Sequence, residues 1–498
     1  MVLSNMKKLA VLAAAFGFMT AADAMAADLT DVLDAADEVY LGDEKVSDPF
    51  DISLTPKFVQ RHEWAKLKRE AVEKDGSQHL YNELQYKRVI NRIDLDLEVG
   101  MWHDLAFRMD MPIVISDQRT YKFDKDINIY NSWFSTQYGK TSGPCLDEHG
   151  QMQNNCINPN KYNFFDLNND QTLNGKKRSG IGDISFGIAW SPYNTERHFI
   201  PERPWERNTG RSTITLGFDY VAPTGKFTKI DNDTVGSGAH QVVFSVAASH
   251  RFPIVDPYIR LQYGIPIGLD DAYKDYGDNQ KRRDPGMWGR VDLGIEFLPY
   301  ESFNIDYQRL VKIDLRGYFK YNGEGRAYSE LADAFGSGNC YTTQMTNGGL
   351  ADEKCGWVAE KWSNAGKDHI MDMANRSYTG TLKEDGMFDY EGFATVGGAL
   401  NITVQPIQYV AIIAGVAADY TQNHFITFTK VGNDRGTANA EGTALLNNTK
   451  DGIVTDSIYD ERNPAFSTAL DRAGQRIKRT ESLNLEWFAG VRVMYEFR

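Results

Sequence analysis

The sequence predicts an all-β fold: a single antiparallel transmembrane β-barrel of twelve strands, with short periplasmic turns and long extracellular loops. Three observations carry this expectation. The chain opens like an exported protein, its last strand is apolar on one face along its whole length, and short joins between alternating strands take turns with long polar ones.

Lys7 and Lys8 precede the small, apolar run Leu9–Met19, and Ala24, Met25 and Ala26 have the A-x-A form of a cleavage site. Residues 1–26 therefore read as a secretory signal peptide. The apolar run is too short for a helix that must cross ~30 Å of hydrocarbon. Residues 27–50 read as a periplasmic or plug segment. Within it Leu29, Val32, Leu33 and Ala36 fall at helical spacing, which predicts a short helix over Ala27–Tyr40. The barrel is assigned to 51–498.

Strand assignments rest on the period of two that extended chain imposes on its side chains. The first strand is Phe58–Lys68. In "RIDLDLEVGMWHDLAFRMDM", Ile93, Leu95, Leu97 and Val99 share one face against Arg92, Asp94, Asp96 and Glu98. After a turn at Gly100–Asp104, Leu105, Phe107, Met109 and Met111 oppose Ala106, Arg108 and Asp110. Similar runs are centred on Ile184–Trp190, Ile214–Tyr220, Val242–Val246, Ile259–Ile265, Val291–Phe297, Val311–Leu315, Val396–Val404 and Val410–Tyr420. The chain closes on "LNLEWFAGVRVMYEFR", where Leu483, Leu485, Trp487, Ala489, Val491, Val493, Tyr495 and Phe497 share a face. That pattern suits a lipid-facing strand with interfacial aromatics. Twelve is even, as an antiparallel barrel with both ends in the periplasm requires.

Gly100–Asp104, Phe252–Asp256, Leu298–Ser302 and Pro406 are the short joins. Long polar segments lie near 118–178, 269–285, 322–387 and 431–480. Ser191–Arg211, with Pro192, Pro201 and Pro204, is a long join on the short side. A soluble sandwich does not require this alternation, whereas an outer-membrane barrel has it. In the barrel reading Leu95, Leu97, Phe107 and Met109 face acyl chains, and Trp102 sits at the interface.

Composition limits the function. Hydrophobic residues make up 42% of the chain without an 18-residue apolar segment, which excludes helical membrane spans. A net charge of −14 argues against a nucleic-acid partner. The expected partners are outer-membrane lipid, the barrel-insertion machinery and a small-molecule solute, with no cofactor. The four cysteines, Cys145, Cys156, Cys340 and Cys355, lie in polar long loops. An even count in an exported protein favours two local disulfides, 145 with 156 and 340 with 355. Zinc is the less favoured alternative, because the close ligand spacing is missing. Asp166, Asn168 and Asp170 alternate as in a calcium loop. Gln171 and Lys177 stand where that loop wants glycine and glutamate, so a solvated loop is expected.

Between 179 and 268 the chain reads "SGIGDISFGIAWSP", "STITLGFDYVAPTGKF", "VGSGAHQVVFSVAASHRF" and "PYIRLQYGIP". The order of a G-x-G-D strand start, a strand ending in P-T-G and a strand opened by G-x-G resembles the outer-membrane barrel family named for the meta-cleavage pathway of phenol degradation. The matching positions are Gly180, Gly182, Asp183, Pro223, Thr224, Gly225, Gly236 and Gly238. The resemblance implies a channel or transporter for small, often aromatic, compounds. The long cysteine-bearing loops depart from that family's simpler pattern.

If the apolar faces meet lipid, the polar faces line a lumen. Its candidate residues are Arg92, Asp94, Asp96, Glu98, Arg108, Asp110, Arg290, Asp292, Glu296, Lys312, Asp314 and Arg316. Charges of both signs at this density make either a selective pore wall or an ion-pair network that closes the barrel. No G-x-S-x-G, H-E-x-x-H, P-loop or C-x-x-C occurs, so an enzyme is not expected. His103 and His250 read as interfacial residues. The expected function is a passive channel or uptake facilitator for small solutes, aromatic or hydrophobic ones among them. The alternatives are a structural or surface-recognition barrel with a blocked lumen and disulfide-braced loops, and an outer-membrane hydrolase.

Overall fold

Runs that alternate β-branched or aromatic residues with polar ones favour extended chain, because each face of a strand can then meet a different solvent. In the computed structural model these runs become twelve long strands closed into one barrel. The structure describes residues 38–41, 44–47, 51–72, 78–102, 104–127, 144–146, 152–154, 172–175, 177–194, 211–228, 233–269, 273, 284–304, 307–329, 345–346, 349–350, 387–407, 409–428 and 477–496, less 176. The signal-peptide segment, Cys156, Cys340, Cys355, Asp166, Asn168 and Asp170 lie outside them. So does the side chain of Cys145.

The barrel strands are β1 (Asp51–Val72), β2 (Gln78–Trp102), β3 (Leu105–Phe123), β4 (Ile184–Asn194), β5 (Arg211–Ala222) and β6 (Ala239–Arg251). They continue with β7 (Val255–Gly268), β8 (Trp288–Asn304), β9 (Tyr307–Asn322), β10 (Phe393–Ile407), β11 (Val410–Thr421) and β12 (Ser482–Glu496). Each pairs antiparallel with its successor. β12 returns to β1, with Leu483 opposite Trp64 and Glu496 opposite Asp51. The wall has no unpaired edge, which is the condition for a sheet in hydrocarbon. Six short strands extend it at the outer end, among them Arg178–Ile181, Gly325–Tyr328 and Ile477–Arg479.

All twelve expected strands are present, and most are longer than their alternation suggested. Three expected joins begin later than assigned, because the prolines at their starts sit in bulges. The register shifts between Trp190 and Tyr193, Phe297 and Tyr300, and Val404 and Ile407, flanking Pro192, Pro299 and Pro406. Proline removes a ladder N–H without forbidding extended chain, so the strand absorbs it as a bulge and runs on. The expected join at Leu298–Ser302 is therefore strand, and the chain turns after Asn304. The turn expected at Gly100–Asp104 narrows as well, since β2 runs to Trp102 and Asp104 takes a positive φ of 49°. The helix expected over Ala27–Tyr40 is corrected at its end: Glu38–Leu41 is a strand paired with Glu44–Ser47.

The outer surface carries an apolar belt between two aromatic girdles. Trp102, Trp190, Phe252, Tyr300, Tyr409 and Tyr495 are exposed near the short turns, and Trp64, Tyr220, Tyr263, Tyr321 and Tyr420 near the other end. Between them Leu216, Phe218, Phe244, Leu261, Ile295, Leu315, Ile402 and Val416 face outward. At ~3.3 Å per residue and a tilt near ~40°, the run Tyr409–Tyr420 rises ~28 Å, close to the height of a lipid-facing band. Polar anchors mark both interfaces: Ser212 Oγ bonds His250 Nδ1 at 2.7 Å, and Tyr220 OH bonds His240 Nδ1 at 2.6 Å. One row of polar groups on the belt is mutually bonded. Trp487 Nε1 donates to Gln60 Oε1 (2.9 Å), Gln60 Nε2 to Asn91 Oδ1 (2.7 Å) and Asn91 Nδ2 to Ser116 Oγ (2.9 Å). Mutual bonding is what lets amides face lipid. The chain is an outer-membrane β-barrel.

Candidate functional site

The interior departs from the rule of soluble cores, because charged side chains are among its most buried. Asp94 and Asp292 have 0% exposure. Such burial is tolerable only with partners, and strand register supplies them. Arg260 and Asp292 are opposite each other on β7 and β8, so their side chains meet at 3.1 Å. Arg290 reaches the other oxygen of Asp292 at 2.6 Å while its guanidinium lies 4.1 Å from the Tyr318 ring centre.

The network continues around β7–β12 and β1. Asp314 accepts from Tyr258 OH and from Asn401 Nδ2, both at 2.8 Å, and Lys312 pairs with Glu296 at 3.2 Å. Arg61 lies 3.4 Å from Asp419 and 3.9 Å from Glu486, and Asn484 Nδ2 also donates to Asp419. Arg316 is 3% exposed. This half of the interior is filled.

The other half holds a cavity of about 720 Å³. One wall is the β2–β3 hairpin, which contributes Arg88, Arg92, Asp96, Glu98, Arg108, Asp110, Asp117 and Arg119. The facing wall, from β4 to β7, contributes Ser185, Thr215, Ser245 and Gln262, with Asp219 and Arg260 as its charged groups. Ser53, Thr55, Arg492 and Met494 line its periplasmic part, and Arg178, Tyr273 and Tyr328 its outer part. Pairing orders the charged wall. Arg108 bonds Glu98 at 3.1 Å, Lys57 bonds Asp96 at 2.6 Å, and Arg92 bonds Asp94 at 3.1 Å. Asp117 takes Arg88 through two bonds of 2.8 Å and Arg119 through one of 2.7 Å. Asp96 and Asp110 are direct register partners, so two carboxyls meet across the hairpin.

A roof closes over the outer part. Arg178 Nη2 donates to Tyr328 OH at 2.6 Å, Tyr273 OH to the Ser237 carbonyl at 2.7 Å, and Arg326 Nη1 to the Tyr273 carbonyl at 2.9 Å. Tyr273 lies outside the strands, and burial raises its phenol above its ordinary range. Beside the roof, the motif residues of 179–268 come together. Asp183 Oδ1 accepts from Gly225 N (3.0 Å) and Oδ2 from Ser237 N (2.8 Å), while Thr224 Oγ1 donates to the Gly182 carbonyl. A Cβ on Gly236 would lie 2.2 Å from the Gly225 carbonyl oxygen, so only glycine allows this crossing. One carboxylate thus ties together the outer ends of β4, β5 and β6.

The twelve predicted lumen residues therefore divide. Arg92, Asp96, Glu98, Arg108 and Asp110 line the cavity, and Asp94 is buried beneath Arg92. Arg290, Asp292, Glu296, Lys312, Asp314 and Arg316 belong to the filled half; none lines the cavity. Lys57, Arg61, Arg88, Asp117, Arg119, Arg178 and Asp419 were not predicted. Arg88 carries the same parity signal as Arg92 and Asp94, whereas Asp117 and Arg119 have the parity of the lipid face of β3 and turn inward only because the register shifts at Ile115. Among the described residues, no cluster of three or more His, Cys, Asp or Glu side chains could hold a metal ion.

No protein-family model matches the sequence, and no curated protein matches it. Among solved structures, the chain overlaps an outer membrane channel from Pseudomonas putida F1 at 8% identity and a TM-score of 0.32, covering 91% of this chain and 100% of that one. It overlaps the outer membrane protease OmpT from Escherichia coli at 8% identity and 0.26, covering 89% and 97%. A Pseudomonas aeruginosa FadL homologue overlaps at 9% identity and 0.27, covering 90% of each chain. Likenesses this distant assign no activity, and the barrel rests on its own strand closure.

Proposed function

We propose that the protein is a passive channel or uptake facilitator for small solutes, which move along the β2–β7 side of its lumen. The observation that carries this reading is the extent of the cavity. Its wall includes residues beside the periplasmic ends of β1 and β12 and residues at the outer roof, so it spans the height of the lipid belt. Ion-paired side chains of both signs keep such a path hydrated without a strong single-sign barrier. Tyr273, Trp288 and Tyr328 add rings to the wall, and small aromatic solutes are the first to test.

A closed barrel that acts in recognition is the second reading, favoured by the filled half around Asp292 and Arg316. Planar-bilayer recording of the refolded chain separates the two. The channel reading expects discrete current steps, enlarged by Glu98→Ala with Arg108→Ala, which removes one ion pair from the cavity wall. Absence of any open-state current in both proteins would overturn it.

A further inference from the structure

The outer face of β1–β3 changes character abruptly. Its continuous apolar exterior ends at Trp64 on β1, Val89 on β2 and Ile115 on β3, yet these strands run on to Val72, start at Gln78 and end at Phe123 respectively, with Leu80 and Tyr81 exposed at the far rim. Above that boundary the outward positions carry lysines. Lys87 is the register partner of Trp64. One rung higher, Lys66 is opposite Gln85, and Gln85 is opposite Lys122. At the next rung Lys68 is directly opposite Lys478 of the segment Ile477–Arg479.

The placement is outward by parity. Val59, Arg61, Glu63, Ala65 and Leu67 are buried in the interior, so Trp64, Lys66 and Lys68 point away from it. At ~3.3 Å per residue and a tilt near ~40°, Lys66 and Lys68 stand ~5 and ~10 Å above the Trp64 ring, the depth of lipid headgroups over an interfacial aromatic.

Like charges directly opposite in a ladder destabilise it, and the Lys68–Lys478 pair is such a case in a chain of net charge −14. Local acids compensate only in part. Asp124 takes Lys66 at 3.1 Å, and Glu481 lies near Lys68 and Lys478 while Asn423 Nδ2 donates to it at 2.9 Å. The rest of the positive charge faces outward, continuous with the lipid-facing belt. We infer that this lysine terrace is a docking surface for phosphate-bearing headgroups of the outer leaflet. Phosphate suits it because ammonium groups spaced over three rungs can each meet a separate oxygen.

The test is lipid-dependent stability of the refolded full chain in neutral detergent. Dioleoyl phosphatidic acid is compared with dioleoylglycerol, which has the same chains without phosphate, and with inorganic phosphate. The expected result is a rise of about 3 °C in the unfolding midpoint with phosphatidic acid alone, lost at high salt. In K68Q/K87Q/K478Q that rise disappears while the lipid-free midpoint holds or increases, because the Lys68–Lys478 repulsion is gone. Should this variant fail to refold, K87Q/K122Q, which spares that pair, is measured the same way and loses part of the rise. An equal rise with dioleoylglycerol, or in the variants, would overturn the inference. So would a rise with inorganic phosphate matching that of the lipid, which would assign the charge to free anions. Bilayer conductance is not used, so a closed lumen leaves this result standing.

Discussion

Asp183 shows how much one side chain can organise. Its two oxygens bind the backbone N–H groups of Gly225 and Ser237, and a carboxylate taking two such donors is hard to replace. Asp183→Ala should cost roughly 1–3 kcal/mol, by leaving those donors unmet near the roof. Unfolding in urea measures this, and a loss under a few tenths would show that the latch does not matter. The residue was visible in the sequence as the last member of G-x-G-D. Its partners were not, because the P-T-G and G-x-G segments meet it only once three strands lie side by side. Arg88 was legible in type and parity, but Arg119 and Asp117 were not, because only the register shift at Ile115 turns them inward to meet it.

Among the elements, existence was easier to read than extent. Alternation located every barrel strand, since it records which residues avoid water or lipid. Joins were expected from Ser191, at Leu298–Ser302 and at Pro406, and the barrel carries Pro192, Pro299 and Pro406 as bulges because neighbouring strands supply enough ladder bonds to carry the chain past a missing N–H. The outer rim carries a pH dependence. Burial of Asp124 opposes ionisation but is outweighed by hydrogen bonds from Gln85 and Lys66, which hold its carboxyl below its ordinary 3.8. Glu481 is held below its ordinary 4.5 first by the Asn423 hydrogen bond. Both folded-state values are depressed, so these contacts contribute fully above the ordinary values and are lost as pH falls through the lower, folded ones. Amide exchange at Lys66 and Thr480 should therefore speed up as pH falls below the ordinary values of 4.5 and 3.8, relative to mid-barrel strands and beyond the intrinsic trend. A flat ratio would contradict the assignment.

At the scale of the whole molecule, the lumen is divided between a filled network and an open cavity. Breaking a buried network leaves charges stranded. Arg61→Leu, which strips Asp419 and Glu486 of a shared cation, should destabilise the barrel by about 3–5 kcal/mol. The temperature at which the protein loses its compact migration on gels reports this. The double variant Arg61→Leu with Asp419→Asn should recover part of the loss, and no recovery would mean that the two residues do not act together. The carboxylates and arginines of the β2–β3 wall, by contrast, pair at the cavity surface, and their removal should register more in conductance than in melting.

The sequence by itself determined the barrel: its strand number, which face of each strand meets lipid, and which end carries the long loops. Those properties follow from local periodicity, because each strand must present one face to hydrocarbon whatever its neighbours are. The tertiary structure alone decided which polar faces pack and which stay apart. Asp292 and Asp96 carry the same chemistry at the same parity, yet one is closed over by Arg260 and Arg290 and the other borders a cavity. The difference depends on what lies across the lumen, and no single strand encodes the residues that face it from the opposite wall.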